Sequence, residues 1–351
     1  MTVGSPPYRP DGRAWLSAAR KVGTSLSVVA ITLFGLLVIT FVVGRMVPAD
    51  PVIAIIGDQA DQAAYDRVYQ ELGLDRPLVV QFGTYVRDIA TLDFGRSHLS
   101  RNEVATDLAR VFPATVELAT AALLIGTLLG VPLGVVAAVR RGTWIDQVAR
   151  VVGLVGYSTP IFWLGMIVIL IFYAGLGWIP AGNRVGLYYE GLVEGPTGFL
   201  VLDAVLAAEW DVAKSALGHL VAPALVLGWA NTAYISRMSR SFMLEQLNQE
   251  YILTARAKGA TNNSVIWRHA FANMRVQLLT VIALAYCGLL DGTVLIETVF
   301  GWPGLGQYLT TALFFADMNA VLGAVLLIGL ISVGINLLCD VAYRLLDPRT
   351  K

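Results

Sequence analysis

Residues 114–139 read ATVELATAALLIGTLLGVPLGVVAAV, and this stretch decides the fold class. Glu117 is its one charged residue, and apart from three threonines the other positions are apolar or small. A helix rises about 1.5 Å per residue, so crossing about 30 Å of hydrocarbon needs about 20 such residues. The stretch is therefore long enough and apolar enough to cross a membrane as a helix.

Five further runs meet the same criterion, and the composition agrees with them. Hydrophobic residues make up 56% of the 351 positions and charged residues 14%, against about 25% charged in ordinary soluble domains. The fourth run is the weakest because Asn231, Ser236 and Arg237 crowd its end, so we expect its polar half to pack against protein. We predict an all-α polytopic membrane protein with six transmembrane helices. The runs cover residues 25–47, 114–139, 148–173, 219–235, 278–300 and 320–345.

The placement of lysine and arginine orients the bundle, because these residues concentrate in cytoplasmic connections. Sixteen of the 25 lie in the N-terminal tail, the second and fourth connections and the C-terminal end. The first run is too long for a signal-peptide core and no A-x-A site follows it, so we expect it to be retained. Both termini are therefore predicted to be cytoplasmic. The sixteen are Arg9, Arg13, Arg20, Lys21, Arg140, Arg141, Arg150, Arg237, Arg240, Arg256, Lys258, Arg268, Arg275, Arg344, Arg349 and Lys351.

Small residues and prolines inside the runs predict how the helices pack. A glycine at every fourth position lets helix backbones approach closely in lipid. Each proline removes a backbone hydrogen bond, so we expect three helices to be kinked within their length. The glycines are Gly126, Gly130 and Gly134 in the second run and Gly288 and Gly292 in the fifth; the prolines are Pro132, Pro160 and Pro223.

Two extracytoplasmic segments, residues 48–110 and 174–218, are long enough to fold. Asp61 is placed to cap a helix that runs to Gly73, and Asp75 with Pro77 begins a second helix. In the second helix Leu78, Phe82, Tyr85, Val86 and Ile89 share one face, which we expect to dock on a neighbour. These segments either cover the bundle or form a platform for a substrate-delivering protein.

The connection between the fourth and fifth runs contains residues 250–260, EYILTARAKGA, followed by residues 265–273, VIWRHAFAN. This pattern predicts a helix over residues 250–258, a stop at Gly259 with positive φ, and then a second helical turn. An exposed helix of mixed charge beneath a bundle is typical of a partner-binding surface.

This connection resembles the EAA loop, the coupling helix of importer permeases in the ABC superfamily. Thr254, Ala255 and Arg256 lie at the E-A-A positions, and Gly259 matches the motif's glycine. The order T-A-R-A-K-G-A is similar to the variant in the dipeptide/oligopeptide/nickel permease family. Other stretches resemble that family in order along the chain. They are residues 73–78 (GLDRPL), 93–97 (DFGRS), 113–118 (PATVEL), 162–165 (FWLG), 219–224 (HLVAPA), 297–306 (ETVFGWPGLG) and 346–349 (LDPR).

The resemblance implies the transmembrane fold of a type I ABC importer and a B-type permease subunit in a bacterial inner membrane. We divide the chain accordingly into a cytoplasmic tail (1–21), a first transmembrane helix (22–47), an extracytoplasmic segment with short helices (48–110), an ABC transmembrane type-1 domain of five helices (111–345) and a cytoplasmic C-terminus (346–351). The coupling segment covers residues 245–275, and its ATPase-coupling residues are Thr254, Ala255, Arg256, Lys258, Gly259 and Ala260.

The resemblance also implies the partners and the cargo. The partners are a second homologous permease, two ABC ATPase subunits, an extracytoplasmic substrate-binding protein and membrane lipid. The expected cargo is a dipeptide or oligopeptide, with nickel chelates, opines and oligosaccharides as alternatives. None of the lysines ends a G-x-x-x-x-G-K-[ST] phosphate loop, so we expect no cofactor on this chain and ATP with Mg on the partner subunits.

Other classes of protein are less consistent with the sequence. An ion-coupled carrier would place several ionisable groups within its spans, where we find few, chiefly Glu117, Asp291 and Glu297. A membrane hydrolase could use Ser158 or Ser332, but no histidine is placed to pair with either. The net charge of zero does not suggest nucleic acid as a partner. The three histidines have no metal-ligand spacing, and both cysteines lie in apolar runs, where we expect reduced thiols.

Two positions depart from the family pattern in the fifth run. Gln277 stands where relatives commonly have proline, and Asp291 replaces a small residue. A carboxylate at this depth either pairs with a donor on a neighbouring helix or in the second permease, or lines the translocation cavity. We place Asp291 and Pro160 on the expected translocation path.

Overall fold

The computed structural model describes residues 12–46, 51–57, 61–71, 73–180, 182–193 and 195–346. Its long helices pack as a bundle, and short helices lie in the connections. The helices before the bundle core are α1 (Gly12–Met46), α2 (Pro51–Ile56), α3 (Gln62–Glu71) and α4 (Leu78–Ala90). The remainder are α5 (Val104–Val139), α6 (Trp144–Ser158), α7 (Ile161–Val168), α8 (Leu200–Leu206), α9 (Trp210–Leu247), α10 (Glu250–Ala257), α11 (Asn262–Ser264), α12 (Phe271–Phe300), α13 (Leu305–Phe314) and α14 (Met318–Leu346).

The all-α membrane fold is confirmed. Five helical stretches within the described residues are long and apolar enough to span a membrane, and a bent pair of helices brings the number to six. The bent pair is α6 and the helix formed by α7 with its π-helical continuation, Ile169–Gly175, which meet at 97°.

The prediction that Pro160 lies inside one continuous span is wrong. Helix α6 ends at Ser158, and Pro160 immediately precedes α7. Thr159 is extended, with φ −83° and ψ 124°, because a following proline disfavours the helical conformation. By contrast, Pro132 and Pro223 lie inside α5 and α9 as expected.

The centre of the bundle is the contact between α5 and α9, where the glycine repeat has its predicted role. A Cβ atom on Gly134 would stand 2.5 Å from the backbone oxygen of Ser236, and one on Gly126 would stand 2.8 Å from Asn231 Nδ2. Only glycine allows this approach. For Gly288 and Gly292 the expected close packing is not found among the described residues, because none of their atoms lies within 4 Å of a Cβ placed on either glycine.

Among the five unbent spans of the described residues, α9 is the most enclosed, although its sequence is the least apolar. Asn231, Thr232, Ser236 and Ser239 are all buried, which confirms that its polar half packs against protein. The predicted span, residues 219–235, was too short, since α9 extends from Trp210 to Leu247. The apolar criterion does not detect the helical extensions, because charged residues such as Arg237 and Arg240 interrupt them.

Helix α4 docks on α1, as the shared face predicted. The ring of Phe82 contacts Phe34 and Phe41, with centroids 6.1 Å and 5.2 Å apart, and the hydroxyls of Tyr85 and Thr40 are hydrogen-bonded at 2.8 Å. Leu78 does not take part, since it is 64% exposed.

The predicted cap of α3 is also present, because Asp61 Oδ1 accepts the Ala64 N–H at 2.8 Å. Helix α4 begins after Pro77 without a side-chain cap.

Candidate functional site: the α10 segment and the Glu297 cluster

The α10 segment, residues 245–275, contains helix α10, an exposed helix with one buried side chain. Ile252 has no exposed surface and packs in a cluster with Met243, Val265 and Met274. The face of α10 opposite Ile252 is open, since Thr254 and Ala257 are exposed, and Leu253 beside Ile252 is 64% exposed. One fully buried isoleucine therefore fixes the position of a helix whose other face is free to contact another protein.

Gly259 ends α10 in a Schellman motif. Its φ is +86°, which confirms the predicted positive value. The Gly259 N–H donates to the Arg256 carbonyl at 2.9 Å, and the Ala260 N–H donates to the Ala255 carbonyl at 3.1 Å. These two bonds satisfy carbonyl groups that a helix end otherwise leaves free.

A second helical turn follows, as predicted, and it runs without a break into the next spanning helix. The Thr261 hydroxyl accepts the Ser264 N–H at 3.4 Å and caps α11. Helix α11 continues through π-helical turns, Val265–Ala270, directly into α12. The helix that contains the fifth run therefore begins well before residue 278, because its polar first turns lie outside any apolar window.

The predicted coupling residues share one stretch of surface. Thr254, Arg256, Lys258 and Gly259 are exposed, whereas Ala255 and Ala260 are half-buried. This surface combines the apolar side chain of Leu253 with the cationic side chains of Arg256 and Lys258. Trp267, which follows nearby in the sequence, is a half-exposed aromatic residue whose ring centroid lies 5.3 Å from that of Phe271.

A buried carboxylate braces the helix that leads into α10. Asp146 is 1% exposed and accepts two hydrogen bonds from Arg240, from Nε at 2.7 Å and Nη2 at 3.0 Å. It also accepts the Gly142 N–H at 3.0 Å, and Arg150 Nε lies 3.7 Å away. The arrangement joins the α5–α6 connection to α9. Sequence reasoning missed Asp146, although an acidic residue in a first helical turn with arginine four positions later was a local signal.

At the other end of α12 the motif residues form a buried group, the Glu297 cluster (Thr115, Glu297, Trp302, Gly304 and Gly306). The Glu297 carboxylate is fully buried and accepts the Gly306 N–H at 2.6 Å and the Gln307 N–H at 3.2 Å. It thus satisfies free N–H groups in the first turn of α13.

The remaining members of the Glu297 cluster fasten α5 to the same place. Trp302 Nε1 donates to the Ala114 carbonyl at 2.9 Å, and the Leu305 N–H donates to Thr115 Oγ1 at 2.7 Å. A Cβ on Gly304 would overlap the Glu297 carboxylate, and one on Gly306 would overlap the Val294 backbone. Residues 113–118 and 297–306, two separate motifs in the sequence, therefore form one structural unit.

The other ionisable residues of the spans have different positions. Glu117 forms an ion pair with Arg184 and accepts the Val201 N–H at 2.9 Å, which ties the connection before α9 to α5. Asp291 belongs to α12, but its side chain lies outside the described part of the structure. Pro160 is exposed at the 97° bend.

A helical bundle with five or six apolar spans among the described residues is the architecture of a polytopic integral membrane protein. Residues 130–351 match the family described as binding-protein-dependent transport system inner membrane component, and residues 20–119 match the family of its N-terminal region. The chain belongs to this family.

Relatives match over nearly the whole chain. The Di/tripeptide transport system permease protein DppB of Pseudomonas aeruginosa UCBPP-PA14 is 39% identical, covering 95% of this chain and 98% of the relative. The Dipeptide transport system permease protein DppB of Escherichia coli K12 is 38% identical, covering 93% and 97%. A chain of the MetNI methionine ABC transporter in an inward-facing conformation has a TM-score of 0.52 at 17% identity, over 69% of this chain and 96% of that chain, which supports the fold.

These findings establish the class of the protein. It is a multi-pass inner-membrane permease of a binding-protein-dependent ABC importer, with the type I importer fold, and it is a non-catalytic subunit. Membership of this family implies that ATPase and binding-protein components work with it.

Proposed function

We propose that this permease imports dipeptides or oligopeptides. The support is the agreement of two relatives whose names specify dipeptides or tripeptides and whose sequences align over more than nine-tenths of this chain. Nickel chelates, opines and oligosaccharides are the competing cargoes.

The observation that carries the coupling mechanism is the exposed helix α10, anchored by Ile252 and closed by Gly259. On this proposal two ATPase subunits serve the complex, and one of them receives α10 in a groove. Thr254, Ala255, Arg256, Lys258, Gly259 and Ala260 form the contact surface. ATP and Mg bind to the ATPase subunits and no cofactor binds to this chain. Closure of the ATPase pair then biases a two-state equilibrium between outward and inward access, because the nucleotide-bound pair favours one state.

The translocation path lies between this chain and a second homologous permease. Two features support this arrangement: no described atom lies within 4 Å of a Cβ built on Gly288 or Gly292, and the chain bends by 97° beside Pro160. We place Asp291 and Pro160 on this path. An extracytoplasmic binding protein delivers the cargo to the face opposite α10.

Both termini are proposed to be cytoplasmic, on the same side as α10, because the cationic residues concentrate there. We expect a cysteine at Ser5 or Thr350 to resist an impermeant maleimide in intact cells, and a cysteine at Gln62 to react. Labelling of either terminus without lysis would contradict this orientation.

Purification and transport together test the function. The tagged chain, expressed with its neighbouring genes, should copurify with ATPase subunits and a second permease. Proteoliposomes containing this complex and the binding protein should accumulate a radiolabelled dipeptide only when ATP is enclosed on the ATPase side. Uptake driven by an ion gradient without ATP would exclude the proposal. ATP-dependent uptake of a nickel chelate but of no peptide would show that the cargo is the chelate.

A further inference from the structure

Three arginine residues line one cavity between α6 and α9. Arg150 comes from α6, whereas Arg237 and Arg240 come from α9, and the cavity has a volume of about 440 Å³. Tyr157, Ser236 and Ser241 also line it. We name this cavity the arginine pocket.

The arginine pocket has more positive than negative charge. Asp146 is shared by Arg240 and Arg150, at 2.7 Å and 3.7 Å. Arg237 lies over the Tyr157 ring, 5.0 Å from its centroid, and among the described residues it forms no ion pair with a carboxylate. One carboxylate therefore pairs with two of the three arginines and the third has no carboxylate partner among the described residues, which leaves the pocket complementary to an anion that arginine binds well, such as a phosphate.

An apolar groove adjoins the arginine pocket. It has a volume of about 310 Å³ and shares Ala149, Gly153, Ala233 and Ser236 with the pocket. Its remaining walls come from α5, α6 and α9 and are almost entirely apolar; they are Leu133, Val136, Trp144, Ile145, Val148, Val152 and Thr232. A peptide backbone would leave its polar groups without partners in such a groove, whereas an acyl chain would not.

We propose that the arginine pocket binds the phosphate group of an anionic phospholipid, with an acyl chain in the adjoining groove. Basic pockets between transmembrane helices on the cytoplasmic side suit such headgroups. The assignment of this lipid to the cytoplasmic leaflet rests on the orientation proposed above. The bound headgroup joins α6 to α9, and α9 ends at Leu247, three residues before α10 begins. The lipid would therefore stabilise the helix that positions α10.

The test uses the complete complex in phosphatidylcholine nanodiscs that contain a small fraction of photoreactive phosphatidylglycerol. A photoreactive phosphatidylcholine with identical chains is the matched lipid control. After illumination, the labelled peptides are mapped by mass spectrometry. We expect phosphatidylglycerol to label peptides from α6 and α9, and the labelling to fall about fivefold for each arginine removed. The variants are Arg237→Gln, Arg150→Gln and the double variant, with Arg141→Gln, an exposed arginine outside the pocket, as the protein control.

The outcomes separate the possible occupants. Equal labelling by the two lipids, or wild-type labelling of the double variant, would overturn the proposal. Displacement of the probe by millimolar inorganic phosphate would assign the pocket to a soluble anion, and displacement by a dipeptide would assign it to the translocation path; either contradicts a lipid site. Thermal unfolding of each variant identifies any that fails to fold, and Arg150→Gln changes a half-exposed side chain. Because labelling needs no transport, failure of the peptide cargo leaves its result unaffected.

Discussion

The Glu297 cluster and the α10 segment lie at opposite ends of the helix that contains α12, and both coincide with sequence motifs, yet they are built in opposite ways. In the Glu297 cluster the carboxylate, the indole and the backbone N–H groups are buried and bonded across three helices. In helix α10 itself one isoleucine is buried and the motif side chains are mostly exposed.

The glycines of the two regions are required for different reasons. Gly304 and Gly306 are required because a Cβ would overlap Glu297 or Val294. Around Gly259 no described atom lies within 4 Å of a built Cβ, and only its φ of +86° demands glycine. The first kind of motif fixes the architecture, whereas the second kind keeps a surface free. A substitution in the first should therefore damage folding, and one in the second should damage coupling.

The largest expected effect is on folding, in the variant Trp302→Ala. The indole is 1% exposed and its N–H donates to the Ala114 carbonyl, so truncation leaves a cavity and removes a buried hydrogen bond, at a cost of about 3–5 kcal/mol. We expect the solubilised protein to unfold at a clearly lower temperature and little complex to assemble. The control is Trp210→Ala, at a 66% exposed position, where the change should be within about 0.5 kcal/mol. Equal destabilisation by the two would contradict the architectural role of the Glu297 cluster.

An intermediate effect is expected on transport, in the variant Gly259→Asp. A side chain at positive φ costs about 1–2 kcal/mol, which the protein should survive, but the new carboxylate adds negative charge within the proposed ATPase contact surface. We expect normal insertion in the membrane, with the ATPase subunits lost on purification or hydrolysing ATP without uptake.

Gly191→Asp is the matched control for that variant. Gly191 has φ of +76° and no described atom within 4 Å of a Cβ placed on it, so the backbone penalty is similar while the position lies in the segment before α9. Its transport should be close to that of wild type. Normal uptake by Gly259→Asp, or equal loss in both variants, would show that α10 has no special role in coupling.

Features that depend on local sequence were predictable. The positive φ of Gly259, the cap at Asp61 and the docking face of α4 follow from neighbouring residues. Features that join distant positions were not: Arg240 and Asp146 are 94 residues apart, and Leu305 and Thr115 are 190 apart. The motifs 113–118 and 297–306 were recognised separately, but only the folded bundle shows that they bond to each other.

The failed expectations also have physical causes. Pro160 was expected to kink a helix, as an isolated proline can, but the helix ends one residue before Thr159, which is extended. The fifth run was placed too late because hydropathy detects only the apolar part of a helix that begins with polar turns. Sequence therefore predicts which residues can cross the membrane better than it predicts where helices begin.

The smallest expected effect is on cargo selectivity, in the variant Asp291→Asn, and it concerns α12 between the two regions compared above. Asp291 lies 14 residues after Gln277, about 21 Å along the helix, where a carboxylate costs at least about 2.5–3.5 kcal/mol unless it faces water or a partner. If its carboxylate lines the translocation path, its interaction energy with a cationic cargo in a water-filled cavity is about 1 kcal/mol. Uptake of a lysine-containing dipeptide should then fall about fivefold, while uptake of alanyl-alanine stays unchanged. Asp211→Asn, an exposed carboxylate in the first turn of α9, should alter neither. An equal fall for both cargoes, or loss of complex assembly, would instead show that Asp291 pairs with a donor on another helix or in the second permease.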